Sequence, residues 1–284
     1  MIARFRTYAS FVRVGHSAFA LPFAFVGALL AARHAGFEWS RLVWITICMV
    51  SARSAALAFN RLVDAGFDAR NPRTAGRELP AGRVSVVEAR VFVGVATVIF
   101  IGSAAALGPL CLALSPVALA IVFWYSLAKR YTAFTQGYLG LAMAVAPAGG
   151  WIAAGGPRSA EPWLLGLAIA GWVAGFDIIY ACQDVEVNRR EGLHSIPVKY
   201  GIPGALRMSR LLHAATVVVL VLVGAEAGLD GIYVAGVVFV GLMLWWEQSL
   251  VSPDDLSQVM RAFNVNAWVG VVYFATTALA VFAS

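Results

Sequence analysis

Apolar residues along the chain come in runs of about 20, with neither the strict alternation of half-buried strands nor the single stripe of a soluble amphipathic helix. A helix needs roughly 20 mostly apolar residues to cross about 30 Å of hydrocarbon. Nine such runs are read near residues 14–32, 42–60, 86–107, 109–128, 133–155, 162–182, 208–228, 231–250 and 262–283. Strands of a membrane barrel are about 10 residues of alternating polarity, half the length of these runs, so a β-barrel is excluded. The expected fold is all-α, a polytopic bundle of nine transmembrane helices forming one domain over 1–284. Arg4, Arg6 and Arg13 precede the first run as they would in a signal peptide. That run is too long, however, and Arg33-His34 is a poor cleavage context, so it is read as a retained anchor.

Composition agrees with the pattern: 61% of residues are apolar and 13% charged, with mean hydropathy +0.79. A soluble domain carries about 45–50% apolar and 25% charged residues, so cytosolic and disordered classes are removed. Cys48, Cys111 and Cys182 lie far apart in or beside apolar runs and read as small core residues. The net charge of +6 suggests nucleic acid only until the charges are placed. Of the 21 Lys and Arg residues, 17 fall at the N-terminus, between spans two and three, at Lys129-Arg130, between spans six and seven, and at Arg261. The other side holds Arg33, Arg41 and Arg158, and Arg53 lies inside a span. By the positive-inside rule the N-terminus and the two long connections, 61–85 and 183–207, face the cytoplasm. No nucleic-acid motif or nucleotide-binding loop is present, and loops of such length in a compact protein are usually functional.

Eight of the 15 acidic residues lie in two stretches on that face: Asp64, Asp68, Glu78 and Glu88, then Asp177, Asp184, Glu186 and Glu191. Asn60, Asp64 and Asp68 follow at i, i+4, i+8, which makes one stripe along a helix. An Arg-rich loop with Pro72, Gly76, Pro80 and Gly82 follows. Asp177, Tyr180 and Asp184 share a face at i, i+3, i+7, and Asn188 extends it by a turn. Carboxylates about a turn apart suit a hard cation such as Mg²⁺, typically held by one or two carboxylates plus substrate phosphates, while neighbouring Arg and Lys suit the phosphates. The alternative is that the acidic residues are solvated helix flanks. Asp177 weighs against it, because it lies about two turns inside an apolar span, where a carboxylate is costly unless it faces a polar cavity.

Asn60-x-x-x-Asp64-x-x-x-Asp68, followed by Arg73, Arg77 and Leu79-Pro80-Ala81-Gly82, resembles the first signature of the UbiA family of intramembrane prenyltransferases. Asp177-x-x-Tyr180-x-x-x-Asp184 running into Gly192-Leu193-His194-Ser195-Ile196-Pro197 resembles the second. Tyr125-x-x-x-Lys129 ends the fourth span, and Arg53 stands seven residues before Asn60, where the family also tends to place an arginine. The wording around Ala52–Arg61, Asn71–Ala75 and Tyr180–Asp184 is most similar to the 4-hydroxybenzoate polyprenyltransferase-like subgroup, which includes enzymes assigned to menaquinone made by the futalosine route. One departure stands out: the family usually has an acidic residue where this chain has Asn188, so the expected second metal site is weaker or rearranged, with Glu186 nearby.

The resemblance implies Mg²⁺-dependent transfer of a polyprenyl group from its diphosphate, a membrane lipid, to a small aromatic acceptor, either a hydroxybenzoate or a dihydroxynaphthoate. Asp64, Asp68 and Asp184, assisted by Asn60 and Asn188, would hold the metal-bound diphosphate, and Lys129, Arg73 and Arg77 would oppose its growing negative charge. Asp177 or the diphosphate would accept the ring proton. Tyr125 and Tyr180 would orient phosphate or face the cation, and Arg53 would bind the acceptor carboxylate or the diphosphate. His194 and His213 show no metal spacing and read as surface or core. Haem, homogentisate or a glycerol lipid are alternative acceptors within the superfamily. A transporter is the rival outside it, but the polar residues gather at one face and no inverted repeat is evident.

Overall fold

The computed structural model describes residues 7–8, 10–12 and 21–283; Arg4, Arg6, Arg13 and the start of the first predicted span lie outside them. Within the described residues the chain is helical throughout, without strands. The helices are α1 (Leu21–Ala35), α2 (Trp39–Arg70), α3 (Val86–Leu107), α4 (Pro109–Ala128), α5 (Thr135–Ala153) and α6 (Glu161–Ala181). A 3₁₀ turn (Cys182–Asp184) leads into α7 (Val185–Arg190), followed by α8 (Ile196–Glu226), α9 (Gly231–Ser249) and α10 (Val259–Ala283).

Seven of the described helices are long and apolar enough to cross a membrane: α2, α3, α4, the α6 segment, α8, α9 and α10. The remaining two long elements differ in kind. α1 is apolar but has 15 described residues, and α5 is diluted by Gln136, Pro147 and the glycines 137, 140, 149 and 150. Gly140 and Gly150, together with Gly27 of α1, have a packing reason. A Cβ on Gly140 would run into the Ala170 carbonyl of α6, one on Gly150 into the Ala24 carbonyl of α1, and one on Gly27 into the Pro147 carbonyl of α5. Backbone-to-backbone approach of this kind is how helices associate where lipid supplies no hydrophobic drive between them. Gly27→Ala is therefore expected to destabilise the protein by about 1–3 kcal/mol through overpacking, read as a lowered unfolding midpoint in detergent.

Local signals set several boundaries. Ser85 and Glu88 form a reciprocal capping box that starts α3, and Gly108, at φ 131°, turns the chain before Pro109 opens α4. Pro72 holds Asn71 extended, which ends α2. Both long connections are more structured than expected. Residues 61–70 of the first remain helical as the end of α2, leaving 71–85 as the loop, because the Asn60–Asp68 stripe continues the helix beyond the apolar run. The second connection, 183–207, is mostly the 3₁₀ turn, α7 and the start of α8. There Gly201, at φ 70° just before Pro203, breaks the helix, so α8 begins well before the apolar run near 208.

Consecutive helices pack side by side from α2 through α6, then α6 on α8, α8 on α9 and α9 on α10; α1 closes the ring between α10 and α5. The α6 segment is the most enclosed span, 61% buried, against 22% for α3 and 17% for α4. Phe23, Trp172 and Tyr273 meet in the main core, with Phe23–Trp172 ring centroids 4.9 Å apart. The enclosed α6 and the long α2 carry the two acidic stripes.

Candidate active site

A cavity of about 660 Å³ opens between α2, α4, α5 and α6. Its inner wall is apolar, with Ile45, Met49, Leu107, Ile121, Leu139 and Ala146, whereas one end gathers Asn60, Asp64, Asp68, Lys129, Asp177 and Asp184. The helical stripe on α2 does this: with about 100° per residue, positions 53, 56, 57, 60, 64, 67 and 68 all turn to the same side.

Each carboxylate of the first stripe has a cation. Asp64 is almost fully buried; its Oδ2 accepts from Lys129 Nζ at 2.7 Å and Asn60 Nδ2 at 3.1 Å, and Arg130 lies 3.9 Å from Oδ1. Asp68, equally enclosed, accepts from Arg77 Nη1 on both oxygens at 2.8 Å. Thr74 donates to the Asp68 carbonyl at 3.1 Å and folds the Arg-rich loop back onto the helix end.

The loop then reaches the second stripe. Arg73 makes a bidentate pair with Asp184 through Nε, at 3.0 Å, and Nη2. Its Nη1 donates to Tyr180 Oη at 2.6 Å while the guanidinium lies 5.1 Å from the Tyr180 ring centre. Burial disfavours charge on Arg73, but Asp184 and Tyr180 more than offset this and hold its pKa above the usual value. Asn71 adds a bond to Asp184 Oδ1 at 3.1 Å. Farther out, Arg70 donates to both Glu191 oxygens, from Nε to Oε1 at 3.0 Å and from Nη2 to Oε2 at 2.6 Å, and these bonds hold the Glu191 carboxyl below the ordinary carboxylate range. The two stretches, more than 100 residues apart in sequence, are thus joined by charge-assisted bonds.

Asp177 lines the cavity about two turns deeper than Asp184, without a hydrogen bond or ion pair among the described residues. Arg53 lies about 10 Å along α2 from Asn60. Its Nη1 is 3.8 Å from Met143 Sδ, its Nε is buried without a partner, and no carboxylate pairs with it among the described residues. Tyr125 and Asn188 also line the cavity. All twelve residues singled out in the sequence therefore reach one space. Glu186 does not: it is largely exposed on α7 and pairs with Arg189 at 3.1 Å. Three contributors have no role assigned from the sequence. Asn71 and Glu191 act through partners distant in sequence, and His194, taken as surface or core, lines the cavity while its N–H bonds the Lys129 carbonyl at 2.7 Å.

Among the described residues no three His, Cys, Asp or Glu side chains form a ready metal cage. Mg²⁺ held by one or two carboxylates plus substrate phosphates needs none.

The sequence profile of the UbiA prenyltransferase family matches residues 20–282, nearly the whole chain. The chain belongs to the UbiA prenyltransferase family. A 4-hydroxybenzoate octaprenyltransferase from Marinobacter nauticus is 32% identical over 253 residues, 89% of this chain and 86% of that protein. Among solved structures, a UbiA homolog from Aeropyrum pernix K1 superposes with TM-score 0.85 at 35% identity, over 92% of this chain and 96% of that one. A UbiA homolog from Archaeoglobus fulgidus, bound to GPP and Mg²⁺, shares the fold at TM-score 0.71 and 20% identity, over 95% and 99% of the two chains. With its seven long apolar helices, this UbiA family member is an integral membrane protein and a transferase.

Proposed function

We propose that this protein transfers a polyprenyl group from polyprenyl diphosphate to a ring carbon of a small aromatic acid, with 4-hydroxybenzoate the leading acceptor. The observation that carries the reading is the cavity: an apolar channel for an isoprenoid ending at Asp64, Asp68 and Asp184, each beside a guanidinium or ammonium. The acceptor assignment draws on the relative named as a 4-hydroxybenzoate octaprenyltransferase, and the metal on the homolog bound to GPP and Mg²⁺. Topologically, the whole chain is one domain of nine spans in the plasma membrane. Its N-terminus and the segments 71–85 and 182–195 lie on the cytoplasmic side, as the excess of Lys and Arg there requires.

The donor set fits Mg²⁺: Asp64, Asp68 and Asp184 are hard oxygen ligands with no thiolate or imidazole among them. Mg²⁺, when bound with substrate, would neutralise the diphosphate and make it a better leaving group. The resting pairs exchange partners on binding. Asp64, Asp68 and Asp184 would hold the metal, and Lys129, Arg77 and Arg73, their partners here, would then face the diphosphate oxygens, where charge grows as the C–O bond breaks. Asn60 and Asn188 contribute amide oxygens. The allylic cation left behind would lie among Tyr125, Tyr180 and Asp177. The electron-rich ring attacks it, and Asp177 takes the ring proton. Arg53, deeper and without a carboxylate of its own, binds the acceptor carboxylate.

Arg53→Gln is therefore expected to raise KM for the aromatic acid by about 10–100-fold, the worth of one charge-assisted bidentate contact, with KM for the prenyl diphosphate nearly unchanged. A rise in the second constant alone would place Arg53 on the diphosphate. The function itself is tested by supplying the purified protein with Mg²⁺, a polyprenyl diphosphate, 4-hydroxybenzoate and 1,4-dihydroxy-6-naphthoate in competition. Prenylated 4-hydroxybenzoate is the expected product. The prenylated naphthoate alone would move the enzyme to menaquinone synthesis, and no product from either would refute the aromatic acceptor.

A further inference from the structure

On the side of α6 that faces away from the cavity lies a second row of buried polar side chains. Ser209 Oγ donates to the Gly175 carbonyl at 2.7 Å, His213 Nε2 lies 3.3 Å from the Trp172 carbonyl, and Thr216 Oγ1 donates to the Ala168 carbonyl at 3.2 Å. Donors 209, 213 and 216 on α8 are spaced i, i+4, i+7, and so are acceptors 168, 172 and 175 on α6. The two stripes match antiparallel, residue for residue. Two glycines make this approach available. A Cβ on Gly175 would enter the His213 ring, and one on Gly171 would come within 2.9 Å of Thr216 Oγ1.

The row is itself held from behind. Gln248 Nε2 on α9 lies 2.7 Å from Ser209 Oγ and 3.0 Å from His213 Nδ1, which makes Nδ1 an acceptor and directs the His213 N–H toward α6. Asn266 on α10 accepts from the Trp172 indole at 2.7 Å and donates to Glu247 at 2.8 Å. Ser209, Glu247 and Asn266 are fully buried, and none of the row touches the cavity.

Apolar contact between helices in lipid opposes sliding weakly, because tails solvate the same surfaces; polar bonds to particular carbonyls do not tolerate a shift. Moving α6 by one residue along α8 would unpair all three bonds together. The opposite face of α6 presents Asp177 and Tyr180 to Asp64 and Asp68 on α2. We propose that His213 is a positioning residue: with Ser209 and Thr216 it sets the height and rotation of α6, and so the distance between the two halves of the prenyl-transfer site. The proposal rests on the site reading above for its effect on rate, but not for its geometry.

The test uses four proteins: the parent, Gly175→Ala, Gly175→Ala/His213→Ala, and Gly236→Ala, whose new Cβ would crowd Thr276 between α9 and α10, away from this row. Each is assayed for prenyl transfer and thermal unfolding. In a parallel set lacking Cys48, Cys111 and Cys182, Arg73→Cys and Tyr180→Cys report the spacing between loop and α6 through their rate of linkage by a short bis-maleimide, each thiol adding across one maleimide double bond. A displacement of about 1 Å costs about 10²-fold in rate. Gly175→Ala is expected to lose at least tenfold in both transfer and linkage, and the double variant to recover most of each because removing the ring makes room. Gly236→Ala is expected to lower the unfolding midpoint with linkage unchanged. Unaltered linkage in Gly175→Ala, no recovery in the double variant, or transfer that merely follows the unfolding midpoint in every protein would overturn the proposal. Linkage needs no catalysis, so a parent protein without transfer activity would refute the site reading and leave this result legible.

Discussion

Asp64→Asn is expected to lower prenyl transfer by at least about 10³-fold, the scale on which removing a preorganised electrostatic partner of the reacting group acts. Asp64 stands where three elements meet. α2 supplies it and Asn60, the end of α4 supplies Lys129 at 2.7 Å, and Arg130 approaches to 3.9 Å. An amide keeps the shape but loses the charge proposed to bind metal. It also leaves Lys129 without its counter-charge in a largely enclosed setting, which is expected to reduce stability by about 1–3 kcal/mol. Steady-state rates and an unfolding midpoint, taken on the same preparation, separate the two effects. Residual activity above about one tenth of the parent would remove Asp64 from the proposed metal site.

The second large effect is expected at Asp177. Asp177→Asn should reduce kcat by about 10²–10⁴-fold, the range for loss of a positioned proton acceptor, while prenyl diphosphate binding remains near that of the parent. The separation follows from depth. Asp184 and Tyr180 engage Arg73 at the mouth of the cavity, whereas Asp177 lies two turns farther in without a cation to neutralise it among the described residues. A carboxylate in that position is retained at a cost in an apolar setting, which points to use. Equal losses in binding and kcat would instead assign Asp177 to the diphosphate.

These two residues also show what a single sequence displays. Stripes at i, i+4, i+8 on α2 and i, i+3, i+7 on α6 are local, and a helix turns them onto one face whatever surrounds it. The boundaries of α3 and α4 are equally local, set by Ser85–Glu88 and Gly108-Pro109, and they fall where the apolar runs end. The partners are another matter. Asp64 with Lys129 and Asp184 with Arg73 join residues 65 and 111 positions apart, and no spacing rule connects them. Asn71 reads as a turn residue until Asp184 is beside it. Glu186, near Asn188 in sequence, turns outward because α7 places them on different faces. His213, alone in an apolar run, reads as a surface or core residue; only the matching carbonyls of α6 give it a task. The start of α8 was hidden for a different reason, since a hydropathy run marks where lipid begins and not where the helix begins.

In the proposed function, carboxylates from α2 and the end of α6 together bind a prenyl diphosphate through Mg²⁺. Equilibrium binding of a polyprenyl diphosphate to the purified protein, titrated with Mg²⁺ in the parent, Asp64→Asn and Asp184→Asn, tests it most directly. Tight binding that requires Mg²⁺ and is lost in each variant separately is the expected result. Binding equally tight in the presence of a chelator, or undiminished in either variant, would contradict it.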